Sequence, residues 1–390
     1  MIPSIPSRRI HPSIPALITI ILVVTCVSNP TLAQMSFSGL GQVGTSTSTL
    51  ATDLSGDGTT VVGYGVDALN RTIAYRWTML TGMNSIGVYS ANTPIFQPYR
   101  VSRNGGVIVG ACSGQGSLGF MWTNATGTVT IPSPLPQASG CAYGVSGDGN
   151  TVIGRSSAGS YRFRPGQPLD WLSGVSPYTA TDAYAISGDG SVVAGSARNP
   201  STIYGSLAIR WTLEDAEIIS QPFDDLLTVP LDLSENGDIM VGFTQNANID
   251  RSPFVWRADT GMTPLGGDLV NVSTIATDLS ADGGTIVGRT VIDPFGIQAI
   301  AWFNDGPAVD LNVFFGSVMP SGWNLSEATG VSDDGRVIAG TGIHNGQREA
   351  WIATIPEPMT ATLFAMFGWA LLIRRRKGDQ RGPQSPFCIT

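Results

Sequence analysis

The stretch Ser55-Gly56-Asp57-Gly58 decides the fold of this chain, because its pattern recurs six more times along the sequence. Each copy reads Ser, any residue, Asp or Asn, then Gly, and a short apolar run ending in another Gly follows it. Asp-Gly between two β-rich runs predicts a hairpin, since Gly adopts the positive φ that the turn requires. The Ser is expected to bond the backbone two residues on. The later copies begin at Ser102, Ser146, Ser187, Ser234, Ser280 and Ser332.

The copies repeat every 46 residues or so, and a period of roughly 20–50 residues indicates a solenoid, a propeller or an array. A third strand follows each hairpin, and alternation along the first of them places Tyr75 and Trp77 on one face and Ala74 on the other. A fourth short strand is visible at 82–87 and 261–266. Four strands in about 45 residues make a propeller blade. We therefore predict an all-β fold, a seven-bladed β-propeller of four-stranded blades over residues 34–355.

The seventh unit ends at its third strand, because Pro356-Glu357-Pro358 begins almost at once. A matching segment at 37–41 precedes the first hairpin. We expect this N-terminal strand to join the last blade and close the ring, which removes a sheet edge that would otherwise invite aggregation.

The units resemble the HAF-repeat family of extracellular bacterial proteins, in which an Asp-Gly hairpin is paired with a strand of the form His-Ala-Phe-x-Trp. The resemblance covers nearly all of residues 37–353. The family's His is absent, because Ile73, Leu118, Leu207 and Ser252 occupy its place. No role resting on that His is carried over, and the family has no established enzymatic activity to lend.

Residues 1–33 have the features of a secretory signal peptide. Arg8 and Arg9 give the basic region, residues 16–27 are apolar, and a small-residue cleavage site ends at Ala33, so the mature chain is expected to start at Gln34. The alternatives are an uncleaved anchor, for which twelve apolar residues are short, and a lipoprotein signal at Cys26.

A second sorting signal is predicted at 356–377. Pro356-Glu357-Pro358 is followed by an uncharged span at 359–373 and by the basic cluster 374–377. In that order the three parts resemble the PEP-CTERM signal of Gram-negative bacteria, which implies processing near Pro356, Glu357 and Pro358 by an exosortase. The extra tail, 378–390, departs from that pattern and is expected to be disordered. The alternative is an ordinary single-pass anchor, although fifteen residues span only about 22 Å.

Composition narrows the class of protein. The 42% hydrophobic share is too high for a disordered chain, and the 48 Gly residues have no collagen period. Residues 34–355 hold 14 Arg, no Lys and 27 acidic residues. An acidic surface without Lys argues against nucleic acid and against anionic lipid headgroups. Membrane contact is therefore expected only through the C-terminal segment.

No catalytic, cofactor or metal site is predicted. His344 is the only His outside the signal peptide and is interpreted as a surface loop residue. The recurring turn Asp residues are too few per segment for a calcium loop. Carboxylate clusters at Glu214, Asp215 and Glu217, and at Asp224 and Asp225, are interpreted as solvated loops. A disulfide between Cys112 and Cys141 is possible in an oxidising compartment.

The sequence favours an exported protein at the outer surface or in the extracellular matrix of a Gram-negative bacterium, transiently anchored in the inner membrane. The expected function is a non-enzymatic binding or structural protein of the exopolysaccharide matrix, with polysaccharide or surface proteins as partners. The alternative is a propeller hydrolase or lyase that acts on extracellular glycans through carboxylates at the channel mouth. Two or more carboxylates with an Arg or Tyr in the channel would favour that alternative; a wall of small apolar residues would disfavour it.

Overall fold

The computed structural model describes residues 35–88, 96–112, 117–135, 138–201, 205–219, 226–266, 273–292 and 296–355. They form 28 β-strands and one short helix, α1. Blade 1 contains β2 (Ser46–Leu54), β3 (Thr60–Asp67), β4 (Thr72–Thr78) and β5 (Gly82–Val88), and blade 2 contains β6 (Phe96–Val101), β7 (Val107–Cys112), β8 (Ser117–Thr123) and β9 (Gly127–Pro132). Blade 3 contains β10 (Gly140–Val145), β11 (Val152–Ser156), β12 (Gly159–Phe163) and β13 (Asp170–Leu172). Blade 4 contains β14 (Ala180–Ile186), β15 (Val193–Arg198), β16 (Ser206–Trp211) and β17 (Ala216–Ile219).

The remaining strands complete seven units of four. Blade 5 contains β18 (Leu227–Leu233), β19 (Ile239–Gln245), β20 (Arg251–Arg257) and β21 (Gly261–Pro264). Blade 6 contains β22 (Ser273–Leu279), β23 (Thr285–Ile292), β24 (Gly296–Phe303) and β25 (Val309–Asp310). Blade 7 contains β26 (Trp323–Val331), β27 (Val337–His344), β28 (Gln347–Thr354) and β1 (Ser36–Gly39). Within each blade the strands pair antiparallel in this order, and a single parallel pairing of Ser206 with Leu227 joins blades 4 and 5. The predicted all-β, seven-bladed fold is confirmed.

One element departs from the all-β expectation. Helix α1 (Leu311–Phe314) follows the two-residue strand β25, and the Asp310 side chain caps it by accepting from the Asn312 N–H. Leu311 and the following Phe315 are fully buried between blades 6 and 7. The helix thus covers a part of blade 6 that a longer outer strand covers elsewhere.

The seven repeated turns have one geometry. The last Gly of each has a φ between 66° and 76°, the left-handed region that favours glycine. Each Ser is at most 2% exposed. Its hydroxyl donates to the Asp or Asn side chain two residues on, at 2.6–3.1 Å. It also accepts the backbone N–H five residues on, at 2.9–3.0 Å. The expectation that this hydroxyl bonds the backbone two residues on was therefore wrong: a side chain occupies that position, and the amide lies across the hairpin.

Backbone hydrogen bonds link the turns into a closed ring. In each blade, one backbone N–H of the turn donates to the carbonyl oxygen of the residue directly after the turn Ser of the next blade, over 2.8–3.3 Å. The last bond runs from Asp333 N–H in blade 7 to Gly56 O in blade 1. The donor and acceptor pairs are Asp57–Arg103, Arg103–Gly147, Gly147–Gly188, Asp189–Glu235, Glu235–Ala281, Ala281–Asp333 and Asp333–Gly56. We call the end of the channel where these turns meet the turn end, and the opposite end the far end.

Apolar clusters lie between every two neighbouring blades, including blades 7 and 1. In the first blade, successive side chains of strand β4 contribute to two of these clusters. Tyr75 and Trp77 pack towards blade 7, whereas Ala74 packs against blade 2. Small and large side chains on opposite faces let twisted sheets stack face to face, as expected from the sequence.

The N-terminal strand completes the last blade, as predicted. Strand β1 pairs antiparallel with β28, from Ser36 opposite Thr354 to Gly39 opposite Trp351. Phe37 packs against Trp351 and Trp323, with ring centroids 5.9 Å and 5.1 Å away. The two ends of the propeller are therefore adjacent, and both lie at the turn end.

The predicted signal peptide with Ala33 and Gln34, the Pro356-Glu357-Pro358 motif, the apolar span and the tail lie outside the described residues. Within the part of the chain that is described, no helix is long and apolar enough to cross a membrane.

We predict that Ser146→Ala lowers the free energy of unfolding by about 1–3 kcal/mol, because the buried Thr151 N–H loses its acceptor. The measurement is urea unfolding followed by fluorescence. Ser38→Ala is the matched control, since that hydroxyl is exposed. Equal stability of the two variants would contradict the structural role of the turn hydroxyl.

Candidate functional site

The channel wall is formed by the innermost strand of each blade, and every one of these strands has a β-bulge at the same place. The bulge lies two to four residues before the turn Ser. A bulge bends the strand and re-aims its side chains. The position two residues before the Ser, at the end of the bulge, carries Asp53, Arg100, Gly144, Ala185, Asp232, Asp278 and Gly330.

Arg100 crosses the channel and connects four blades. Its Nη1 lies 3.2 Å from Asp53 Oδ1 and 3.3 Å from Asp278 Oδ1. Its Nη2 donates to Leu231 O over 2.7 Å and lies 3.9 Å from Asp232 Oδ1. We call these four charged residues the channel hub. The guanidinium is 18% exposed, so the hub is largely withdrawn from water.

The hub carboxylates also join neighbouring blades. Asp53 accepts the Val101 N–H over 2.8 Å, and Asp278 accepts the Val331 N–H over 2.6 Å. Asp232 accepts the Leu279 N–H over 3.2 Å. Each carboxylate therefore binds the backbone of the next blade as well as facing Arg100. This bonding uses the carboxylate oxygens for structure.

Burial controls the titration of the hub. It raises the pKa of Asp53 to about 6, although Arg100 and the Val101 N–H oppose the rise. It also raises the pKa of Asp278, and the neighbouring Asp232 raises it further. Burial works against the charge of Arg100, but Asp53, Asp232 and Asp278 outweigh it and raise the pKa of Arg100. The three carboxylates are thus held close to one another only because a guanidinium lies among them.

A second charged group closes the turn end. Arg103 forms ion pairs with Glu235 and with Asp333, the latter at 2.5 Å. Each of these three side chains belongs to the residue directly after the Ser of a different turn. At the same position Gly56 and Gly188 leave room, since a Cβ would lie 2.5 Å from the Asp333 carboxylate at Gly56 and would collide with Glu235 at Gly188.

Between the channel hub and the Arg103 group lies a cavity of about 100 Å³, which residues of all seven blades line. Ligand pockets usually enclose about 300–1,000 Å³, whereas a water takes about 30 Å³ of liquid volume. The cavity therefore has room for water and is smaller than most ligand pockets. Among the described residues, no group of three or more His, Cys, Asp or Glu is arranged to hold a metal ion.

Towards the far end, three tyrosines stand at the bulge of consecutive blades. The rings of Tyr99 and Tyr143 are stacked 5.2 Å apart, and Tyr143 meets Tyr184 edge-on at 5.7 Å. Burial raises the pKa of Tyr99 to about 12 and also raises the pKa of Tyr143 and Tyr184. These phenols remain protonated near neutral pH, so they serve as hydrogen-bond donors rather than as bases.

Two inter-blade ion pairs also lie towards the far end. Arg155 Nη1 lies 3.3 Å from Asp182 Oδ2 between blades 3 and 4, and Arg289 Nη1 lies 3.2 Å from Glu327 Oε1 between blades 6 and 7. Both arginines follow the repeat Gly of their blade, and both acids stand five residues before the turn Ser. The two arginine side chains are 45% and 33% exposed.

The residues singled out from the sequence lie elsewhere. His344 ends strand β27 rather than lying in a loop; it stacks on Trp323 at 4.5 Å and its Nδ1 lies 2.7 Å from Glu349. Glu217 is exposed on the outer strand β17 and pairs with Arg210. Asp224 and Asp225 lie outside the described residues.

The turn Asp residues have their oxygens committed to the hairpin. Asp148, for example, accepts from Ser146 and from the Asn150 N–H, and these bonds lower its pKa. This bonding supports the interpretation of the repeated Asp as turn chemistry. Cys141 has no disulfide partner among the described side chains, and the side chain of Cys112 lies outside them, so a Cys112–Cys141 disulfide stays a prediction.

The channel hub and the tyrosines were missed from the sequence, although a signal existed. When the seven repeats are aligned on the turn Ser, three Asp and one Arg stand two residues before it. One position earlier, three consecutive repeats carry Tyr. The alignment alone gives no distance across the ring, so the pairing of Arg100 with blades 5 and 6 required the structure.

Comparison with solved structures finds chains of similar fold. An oligogalacturonate lyase from Vibrio parahaemolyticus is 11% identical, with a TM-score of 0.54 over 85% of this chain and 96% of that one. An oligogalacturonate lyase in complex with manganese is 14% identical, with a TM-score of 0.51 over 83% and 97%. The β-propeller domain of Swd1 from Myceliophteria thermophila is 13% identical, with a TM-score of 0.47 over 82% and 99%.

At these identities the likeness is one of fold alone. No protein-family model matches the chain, and no curated protein matches it.

We predict that Arg100→Gln lowers the free energy of unfolding at pH 7 by about 3–5 kcal/mol, because it leaves three buried carboxylates without their counter-charge. Arg103→Gln is the control. Arg103 is 40% exposed, and its loss should cost about 1 kcal/mol or less. Comparable losses in urea unfolding would contradict the hub's role.

The hub also sets a pH dependence. A carboxyl with a higher pKa in the folded than in the unfolded state takes up a proton on folding, so its contribution to stability falls as the pH rises. Because the pKa of Asp53 rises from 3.8 to about 6, we expect the free energy of unfolding to be higher at pH 5 than at pH 7, by on the order of 1 kcal/mol. Asp53→Asn should reduce this difference in urea midpoints. An unchanged difference would contradict the assignment to Asp53.

Proposed function

We propose that this chain is an exported, surface- or matrix-sorted β-propeller that acts as a non-enzymatic binding protein. Polysaccharide or another surface protein would contact the far end of its channel. The observation that carries the proposal is the difference between the two ends of the channel. Arg103, Glu235 and Asp333 lie together at the turn end, whereas three tyrosines and the partly exposed Arg155 and Arg289 lie towards the far end.

The chain ends support this orientation. Ser36 pairs with Thr354, and the Ile355 N–H donates to Arg336 O over 2.7 Å, beside the turn of blade 7. A signal peptide ending at Ala33 and a sorting segment beginning at Pro356 would both attach at the turn end. A protein held by its tail would therefore present the far end outwards, away from its attachment.

A propeller hydrolase or lyase is the second candidate. It is favoured by the presence of five carboxylates, Arg100 and Tyr184 around one cavity, which is the combination that the alternative requires. Against it stand the size of the cavity and the bonds from the hub carboxylates to backbone amides. The similarity to oligogalacturonate lyases is one of fold and assigns no activity. Incubation with polygalacturonate decides the question, since a lyase produces unsaturated ends that absorb ultraviolet light.

We predict unequal labelling of the two ends by an impermeant maleimide on intact producing cells. Leu69→Cys lies at the far end and Leu80→Cys at the turn end, where the wild-type side chains are 72% and 94% exposed. Both are placed in a chain with Cys112→Ser and Cys141→Ser. We expect Leu69→Cys to react several times faster, and detergent extraction to equalise the two.

Equal rates on intact cells would contradict the orientation, and no labelling at either position before lysis would contradict export. The intact mass of the recovered protein tests processing separately. We expect a chain that starts at Gln34 and ends within Pro356-Glu357-Pro358.

A further inference from the structure

The hairpin that joins β4 to β5 exposes two large apolar side chains at the turn end. Met79 is 88% exposed and Leu80 is 94% exposed. Hydrogen bonds hold the loop beneath them in one conformation: the hydroxyl oxygens of Thr78 and Thr81 lie 2.7 Å apart, and the Thr81 N–H donates to Thr78 Oγ1 over 3.2 Å. A loop that is already ordered loses little conformational entropy when it meets another surface. We call residues 79–81 the blade 1 tip.

The blade 1 tip stands beside the place where the chain leaves the fold. Trp77 and Met83 are paired at the base of the tip, and both pack against the apolar cluster between blades 7 and 1. Ile352 of strand β28 packs against the same cluster, three residues before the described chain ends at Ile355. The tip and the exit of the chain therefore lie on neighbouring blades at the turn end.

The link from the fold to the predicted membrane segment is short. Pro356-Glu357-Pro358 separates Ile355 from Met359, the first residue of the uncharged span at 359–373. Four Cα–Cα steps cover at most about 14 Å, and each headgroup region of a bilayer is about 5–8 Å thick. A propeller that is anchored by this span would therefore have its turn end close to the headgroups.

The other hairpin tips at the turn end are more polar. Leu213 on the tip of blade 4 is 67% exposed, but two acidic residues follow it directly. A carboxylate loses hydration when it enters an apolar layer, which disfavours insertion. Exposed carboxylates on the tips of blades 4, 5 and 6 are Glu214, Asp215, Asp259 and Asp305. Among the described tips, only that of blade 1 combines two exposed large apolar side chains with the absence of a charged residue.

We propose that, while the C-terminal segment anchors the chain, the blade 1 tip inserts Met79 and Leu80 into the interface of the same bilayer. The sequence predicts membrane contact only through the C-terminal segment, and the tip adds a second contact. The buried apolar area of two side chains gives weak binding by itself, but the anchor keeps the tip at a high effective concentration near the lipid. Apolar insertion needs no anionic headgroup, so it is compatible with the acidic composition of the chain.

This proposal rests on the sorting segment of the proposed function and is independent of what the far end binds. It gives the ring a fixed tilt, because the apolar tip lies on one side of the turn end and the acidic tips lie on other blades.

The test uses the full chain, with its native cysteines replaced by serine, reconstituted in phosphatidylcholine vesicles. A fluorophore is attached at Leu80→Cys or, as the matched control, at Leu213→Cys, and lipids with spin-labelled acyl chains quench it on contact. We expect the quenching at Leu80→Cys to be about threefold stronger than at Leu213→Cys. Addition of phosphatidylglycerol should not increase the quenching, because the contact is apolar.

Flotation of the same vesicles tests the anchor separately. If the chain floats but Leu80→Cys is not quenched, or if both positions are quenched equally, the insertion of the tip is overturned and the sorting segment stands. A chain that does not float overturns both. A fluorophore at Leu80→Cys that shifts to the blue without being quenched by lipid would show that a protein, such as a second copy of this chain, covers the tip, and this result would also overturn the proposal.

Discussion

Each blade of this propeller depends on a buried serine hydroxyl that makes two hydrogen bonds, one as donor and one as acceptor. The hydroxyl donates to the Asp or Asn side chain and accepts an amide from the returning strand, so neither buried group is left unsatisfied. An unpaired buried amide costs about 1–3 kcal/mol. The seven turns share one geometry. The carbonyl oxygen of the residue directly after each Ser accepts a hydrogen bond from the turn of the preceding blade. The local turn geometry thus determines how the blades are placed around the axis.

The channel hub, inside that ring, differs from the turns because it buries charged groups. Burying three carboxylates and a guanidinium carries a large desolvation penalty, which mutual attraction offsets only when the geometry is good. Arg100 achieves this by reaching from blade 2 to blades 1, 5 and 6, and blades 5 and 6 share no apolar cluster with blade 2. Removing one partner is therefore expected to be far worse than removing an exposed pair. The hub also fills the channel with bonded charge, which leaves the far end as the accessible part.

Much of the fold could be predicted from the sequence, because its controlling interactions are local. The turn at Ser55, the strand alternation at Ala74 and Tyr75, and the match of the N-terminal segment to an outer strand all repeat within one period. The short helix after Asp310 could not be predicted, since a two-residue outer strand gives no pattern. The channel hub depends on distances between blades that lie far apart in the chain, such as the 178 residues between Arg100 and Asp278. His344 shows the same limit: its stacking on Trp323 follows from strand register, which the loop-like sequence around it concealed.

The closed ring is the claim on which the other conclusions depend, and amide hydrogen exchange of the native propeller tests it most directly. We expect the Asp333 amide, which joins blade 7 to blade 1, to exchange as slowly as the Arg103 and Gly147 amides, which join blades 2 to 3 and 3 to 4. Fast exchange at Asp333, with protection retained at Arg103 and Gly147, would show an open ring and contradict the account.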